Sequence, residues 1–137
     1  MKRNHPDTLV FTGTIMAKPR MTKSDKWNQR PATSKYWAFK DLLTLQARIQ
    51  GFVLSDQIKI VAHLPMPKSW SKKKRAEFVW EPHQQKPDID NILKSVQDIL
   101  MKEDSTIWDV HILKYWTDAP EGTLIIKNVQ DAIQIQE

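Results

Sequence analysis

Between residues 8 and 129 the apolar side chains of this 137-residue chain recur at intervals of two, then three and four, then two again. No other feature constrains the fold as much as this change of period. TLVFTGTIMA, residues 8–17, is β-branched and apolar without helical spacing and predicts a strand. The stretch 18–32, polar and broken by prolines at 19 and 31, reads as an irregular basic loop. Thr33 or Ser34 then caps a helix in which Tyr36, Phe39, Leu42, Leu43, Gln46 and Ile49 recur at threes and fours, and Gly51 stands where a left-handed C-terminal glycine belongs. QIKIVAHL, 57–64, alternates as a half-buried strand. The long basic connection after it carries a short helix near 71–79, and a second main helix begins at Asp90, with Ile92, Leu93, Val96, Ile99 and Leu100 on one stripe. Two strands follow. In 107–116, Trp108, Val110, Ile112 and Trp116 share a face with Lys114, an odd place for a lysine. The second is 123–129, and the turn residues 119–122 between them predict a hairpin. The order strand, helix, strand, helix, strand, strand predicts an α+β fold: one domain over 1–137, with a mixed sheet of about four strands and two main helices packed on it.

Composition narrows the chemistry. Hydrophobic residues make up 40% and there are only three glycines, as expected of a chain that buries a core rather than a disordered tail. No stretch approaches the roughly 20 apolar residues of a membrane span, and the N-terminus lacks the apolar centre of a secretion signal, so a cytoplasmic setting is expected. With no cysteine, disulfides, thiolate zinc sites and thiol nucleophiles are excluded, and catalysis must use oxygen and nitrogen groups. The net charge of +5 is unevenly spread: residues 1–40 hold nine Lys/Arg against two Asp, whereas 101–137 hold three against seven acidic residues. A basic front suits a polyanionic partner.

The segment KPDIDNILKSVQDILMKED, 86–104, gathers the reactive groups. Asp88 and Asp90 stand two apart at the entry to a helix, so an extended backbone projects both to one side. Asp90, Lys94 and Asp98, spaced by four, share a helix face, and Asp104 follows the helix. Grouped carboxylates are the ligands a hard cation such as Mg²⁺ takes, and a metal-held water attacking a phosphodiester needs them. Lys94 would stabilise the charge that develops on the phosphate oxygens. Blander readings exist for each piece. Asp88 or Asp90 could simply cap the helix, and Lys94 with Asp98 could be an exposed pair on its face. A calcium loop is excluded, because its glycine and terminal glutamate are missing.

PDIDNILKSVQDIL followed by EDSTI resembles the RusA family of Holliday-junction resolvases, whose hallmark is Asp-x-Asp-Asn-x-x-Lys and then an acidic pair before a strand. The resemblance extends over most of the chain, with the early Lys-Pro-Arg loop and the basic run before the motif resembling the phage and prophage branch. It implies a crossover junction endodeoxyribonuclease of DNA recombination and repair, acting on four-way or branched DNA as a homodimer with Mg²⁺, for which Mn²⁺ can substitute, in a bacterial, phage or prophage setting. By that resemblance Asp88, Asp90 and Asp104 are the metal-binding aspartates and Lys94 the essential lysine, with Asp98, Glu103 and Lys114 in support. Two departures stand out. The acidic pair is Glu103 and Asp104 rather than two aspartates, and EPHQQK before the motif is less basic, so no cleavage-sequence preference carries over. Competing readings are a catalytically silent junction-binding protein of the same fold and a nuclease preferring flaps or forks.

One inference is purely geometric. A helix over 90–100 rises about 15 Å and four further residues return at most about 14 Å, so Asp104 barely reaches Asp90 within a chain. A site built across a dimer follows as an expectation. Phosphate contacts are expected from Lys18, Arg20, Lys23, Lys26 and Arg30 in the first loop and from Lys72, Lys73, Lys74, Arg75 and Lys86 before the motif. Trp37, Trp108 and Trp116 are expected in the core, while Trp27 and Trp70 either stack on bases or pack under their loops. The four histidines show no metal-ligand spacing and receive no metal role.

Overall fold

The computed structural model describes residues 6–17, 31–101 and 103–129. In chain order they form β1 (Thr8–Gly13), α1 (Pro31–Gln50), β2 (Gln57–Pro65), α2 (Lys72–Phe78), α3 (Ile89–Leu100), a 3₁₀ turn (Asp104–Thr106), β3 (Asp109–Thr117) and β4 (Gly122–Asn128). The α+β expectation holds. α1 starts at Pro31, ahead of the expected cap at Thr33 or Ser34, because proline suits the first helical position, where the missing N–H would have no partner. It ends as the sequence predicts. Gly51 takes φ 69°, its N–H donates to Arg48 O and the Phe52 N–H donates to Ala47 O, the paired bonds of a left-handed helix stop.

The four strands form one sheet in the order β1-β4-β2-β3. β2 and β3 are parallel, while β4 runs antiparallel to both β1 and β2. The expected hairpin is therefore absent: β3 and β4 are consecutive in sequence but β2 lies between them. Residues 118–121 bridge two inter-strand spacings, about 10 Å, which four residues span easily. They cross at the end of β2, where backbones crowd. A Cβ on Gly122 would lie 3.1 Å from His63 O and 3.2 Å from Gly13 O, so glycine is required by the close approach.

Alternation places Leu9, Phe11, Ile58, Ile60, Ala62, Leu64, Leu124 and Ile126 on one sheet face, all buried. Tyr36, Phe39, Leu43 and Ala47 of α1 and Ile92 and Val96 of α3 join the same core. Both main helices thus cover one face. Of the three tryptophans expected in the core, only Trp116 is buried; Trp37 is 37% and Trp108 64% exposed. Trp37 lies one position round from the buried stripe of α1. Trp108 precedes β3, where its backbone N–H donates to Asp56 O and its indole N–H to Asp56 Oδ2 at 3.2 Å, holding it at the sheet's rim.

The two outer strands are treated differently. Along β1, the amide of Gln50 exchanges two hydrogen bonds with the Val10 backbone (3.1 and 2.9 Å), and that of Gln46 does the same with Thr12. Four helical residues rise about 6.0 Å and two strand residues about 6.7 Å, so glutamines four apart match backbone groups two apart. Along β3, residues 80–83 add a short antiparallel stretch: the Trp116 N–H donates to Glu81 O, the Trp80 N–H to Trp116 O and the His83 N–H to Lys114 O, each at 3.0 Å.

Candidate active site

The site grows from the turn that leads into α3. Asp88 occupies the N-cap position with extended backbone (φ −70°, ψ 153°), yet its side chain makes no capping hydrogen bond. The bland reading of Asp88 as a cap fails on that observation, and its exposed carboxylate is left for another use. Asp90 lies one helical position further on, in the first turn and also exposed. Lys94 is exposed and Asp98 half-buried on the same helix.

Lys114 anchors this turn from below. β3 lies parallel to β2 with Lys114 paired to Ala62 and Trp116 to Leu64, so Lys114 rises from the core-facing row of the sheet toward α3. Its ammonium donates to Gln85 O at 2.7 Å and to Pro87 O at 2.8 Å, on either side of the cis Lys86–Pro87 bond. Burial pushes the Lys114 pKa below the ordinary lysine value, and the Asp88 carboxylate opposes that shift. The lysine that looked misplaced in the strand pattern therefore holds the turn that carries Asp88.

Beside it lies His83, buried and tilted over Trp116 with ring centroids 4.0 Å apart. Burial first, and then the Lys114 charge, hold its pKa below the usual histidine value. Sequence spacing gave no sign of its proximity to the site, since the turn that brings it to Lys114 is not periodic. The far side of Trp116 is covered by Trp70, centroids 4.8 Å apart, and Trp70 carries the Lys74 ammonium at 4.2 Å. Trp70 thus packs under its loop, the second of the two readings given above. Ser71 caps α2, as the short basic helix required, by accepting from the Lys74 N–H. Lys72, Lys73 and Lys74 are exposed along it and Arg75, half-buried, donates to Pro67 O at 3.3 Å. A stack of rings thus ties the basic helix to the turn that holds Asp88.

Asp104 lies elsewhere. α3 is not shorter than the sequence predicts, and its 12 residues carry the chain about 18 Å away from Asp88. The following segment is tied at Trp108 to Asp56, just before β2, whereas Lys114 and the Asp88 turn lie toward the strands' other end. The backbone of Asp104 is therefore not brought beside Asp88 and Asp90 of its own chain. Glu103 is engaged locally, accepting from Ser105 Oγ at 2.9 Å through its carboxylate and from Thr106 Oγ1 at 3.1 Å through its carbonyl. Among the described residues no group of three or more His, Asp or Glu is placed to hold a metal ion. The side chain of Asp104, and Lys18, Arg20, Lys23, Trp27, Lys26 and Arg30, lie outside the described residues. Lys86 is exposed in the turn itself. Among the described residues, no helix is long and apolar enough to cross a membrane.

Comparison with known proteins bears on the chain as a whole. The chain is 31% identical over 109 residues to the uncharacterized protein YqaN of Bacillus subtilis (strain 168), covering 72% of this chain and 77% of that protein. The family model described as Endodeoxyribonuclease RusA matches residues 12–133, which take in the end of β1 and everything from α1 through β4, with the Asp88 turn and the segment of Asp104. The chain therefore belongs to the RusA endodeoxyribonuclease family.

Proposed function

We propose that this protein is a Holliday-junction resolving endonuclease that cuts branched DNA with Mg²⁺, Mn²⁺ being an acceptable substitute, and that it works as a homodimer. The observation that carries the reading is the uncommitted carboxylate of Asp88, at a helix entry beside Asp90 and within reach of the Lys114 charge. Two carboxylates with hard oxygen donors, open to solvent, suit Mg²⁺, which usually keeps several waters and takes one or two carboxylates. Asp88 and Asp90 would hold the ion, with Asp104 as a third ligand. When bound, such an ion activates water and screens charge on the scissile phosphate.

The chain's own groups do the rest. Lys114 fixes the carbonyls of Gln85 and Pro87 and so sets the direction in which Asp88 leaves the turn. Lys94, one turn of helix beyond Asp90, faces the developing negative charge on the phosphoryl oxygens. Asp98 stands one turn further along the same face and Glu103 keeps the segment of Asp104 folded. Lys72, Lys73 and Lys74 on α2, together with Lys86, meet phosphates flanking the cut, holding the duplex arms without reading their sequence. The setting is the cytoplasm of a bacterium or a prophage-bearing host, where such junctions arise.

A cleavage assay on a synthetic four-way junction, run beside flap and linear duplex, tests this. Paired nicks near the crossover are expected with Mg²⁺ and none after chelation. Asp90→Asn should abolish cutting while binding the junction within about threefold of wild type. No nicking under any divalent metal overturns the reading, and preferential cutting of the flap moves it to a different substrate.

A further inference from the structure

Both main helices cover one face of the sheet, and α2 meets the sheet at Trp116, on that same face. Residues directly opposite in neighbouring strands share a face, so the pairings map the other one. Val61 lies between Ile125 and Leu113 in an apolar row of which none is buried. One row along, His63 pairs with Tyr115, and in the opposite direction Lys59 pairs with Lys127. Trp80 stands at the edge beside Tyr115, its indole 62% exposed. It meets His63 edge-on, with centroids 5.5 Å apart, and His63 lies nearly parallel to Tyr115 at 5.9 Å. The backbone under this ring is unusual. Glu81 N–H donates to Phe78 O at 2.9 Å and closes a turn in which Val79 is extended (φ −57°, ψ 131°) and Trp80 takes φ 67°. Such a turn ordinarily has glycine as its third residue, and the chain does place glycine at φ 69° where α1 stops. Among the described residues Trp80 is the one non-glycine residue with positive φ. A large ring kept in a costly backbone conformation and left in solvent is the mark of a working position.

We propose that Trp80 is a stacking platform for an unpaired nucleobase, and that a single-stranded stretch of the DNA substrate runs past it onto the open face of the sheet, its phosphates meeting Lys59 and Lys127. The proposal rests on DNA being the substrate and on nothing about how an ion is held. A ring braced on one side by His63 offers a flat apolar surface that a base within a duplex cannot reach, whereas an unstacked base at a branch can. Charge favours the same occupant. Lys72 and Lys73 are exposed on α2, which ends two residues before Trp80, and Lys59 lies four strand residues, about 13 Å, beyond His63 on the open face. Among the strand residues turned to this face Asp109 is the one acid. Position relates the platform to the cut. Tyr115 follows Lys114, which holds the Asp88 turn, and residues 80–83 lead along the edge of β3 toward that turn. A base held at Trp80 therefore fixes the strand at the edge around which it would leave the carboxylates.

Binding measured without divalent metal tests this apart from any cutting. The probes are a labelled oligothymidine and an abasic strand of equal length, followed by fluorescence anisotropy. Wild-type protein should bind the oligothymidine roughly tenfold more tightly, a difference within the range that base–aromatic stacking makes. Trp80→Gly should bind both strands at the affinity wild type shows for the abasic one, and Trp80→Phe should keep most of the preference. The urea midpoint of Trp80→Gly should stay close to wild type, because the relaxed backbone offsets the lost contact with His63. Lys59→Gln with Lys127→Gln should weaken both strands and flatten the salt dependence while leaving the preference between them. A strand carrying 5-iododeoxyuridine, irradiated on wild-type protein, should cross-link to the peptide that holds Trp80 or Tyr115. That measurement needs no variant, so it decides the matter even where Trp80→Gly fails to fold. A cross-link confined to other residues, no wild-type preference, or a preference that survives in Trp80→Gly overturns the platform. Wild-type affinity in the lysine double variant overturns the path across the sheet. A wild-type dimer that Trp80→Gly separates in sedimentation gives the face to a second copy and overturns the proposal. Wild-type protein that shows the preference and the cross-link but cuts no junction keeps the platform and removes the resolving-endonuclease reading.

Discussion

Lys114 holds the backbone on both sides of the Lys86–Pro87 bond, and Asp88 is the next residue along. Methionine in its place keeps the length and apolar stem but leaves the carbonyls of Gln85 and Pro87 without a donor. Hydrogen bonds from charged groups contribute about 1.5–3 kcal/mol each, less where water can replace them. Lys114→Met should therefore lower stability by about 2 kcal/mol in urea unfolding. Single-turnover cleavage should fall at least tenfold with junction affinity little changed, and a wild-type rate would remove Lys114 from the site. His83 carries a pH dependence. Unfolded, its ring titrates near the ordinary value of about 6.5; folded, burial against Trp116 and the Lys114 charge hold it lower. The stability tied to the neutral ring is fully present above about pH 6.5 and is lost as pH falls from there through the lower folded value. Thermal unfolding at pH 7.5 and 5.5 should show a drop in Tm that His83→Phe makes smaller. It does not abolish the drop, because burial lowers His63 in the same direction.

At the scale of elements, α1 seals the edge of β1 through two side chains. Gln46→Ala with Gln50→Ala removes four hydrogen bonds at an exposed edge, worth about 2 kcal/mol together after solvent replacement. The double variant should unfold at lower urea and form higher oligomers by light scattering, since an uncapped edge recruits strands. Gln46 was visible in the sequence only as a polar member of an otherwise apolar stripe, and Gln50 was not singled out at all. What was legible was whatever depends on local spacing: both main helices, the stop at Gly51, the short basic helix near 71–79 and the placement of Asp88, Asp90 and Lys94 at the start of α3. The partner of each strand was not legible. Residues 118–121 look like a hairpin turn because turn chemistry does not say whether the strands it joins are neighbours or flank a third. Trp108 was misjudged for a related reason, since a tryptophan one residue ahead of a strand fits the alternation without sharing its burial. Lys114 was half legible: periodicity registered its oddness among apolar neighbours but not the carbonyls of Gln85 and Pro87 that it holds.

Across the whole molecule, β1, β2 and β3 point one way and β4 is inserted against them between β1 and β2. Every aspartate and lysine of the proposed site precedes β4 in the chain, yet the sheet has no centre without it. A chain ending at Asp118 would keep Asp88, Asp90, Lys94, Asp104 and Lys114 but leave Leu9 and Phe11 with no strand beside them. It should show no cooperative unfolding transition by circular dichroism and, on the proposed function, no cleavage where the longer chain cuts. The order of synthesis gives this topology a timing. The strand that joins the two halves of the sheet is the last of the four to leave the ribosome, and long-range pairing of this kind waits until both partners are present. On the proposed function, a nascent chain that already carries Asp88, Asp90, Lys94, Asp104 and Lys114 would be kept from assembling them until translation has passed Asn128, so cutting would wait for the last strand.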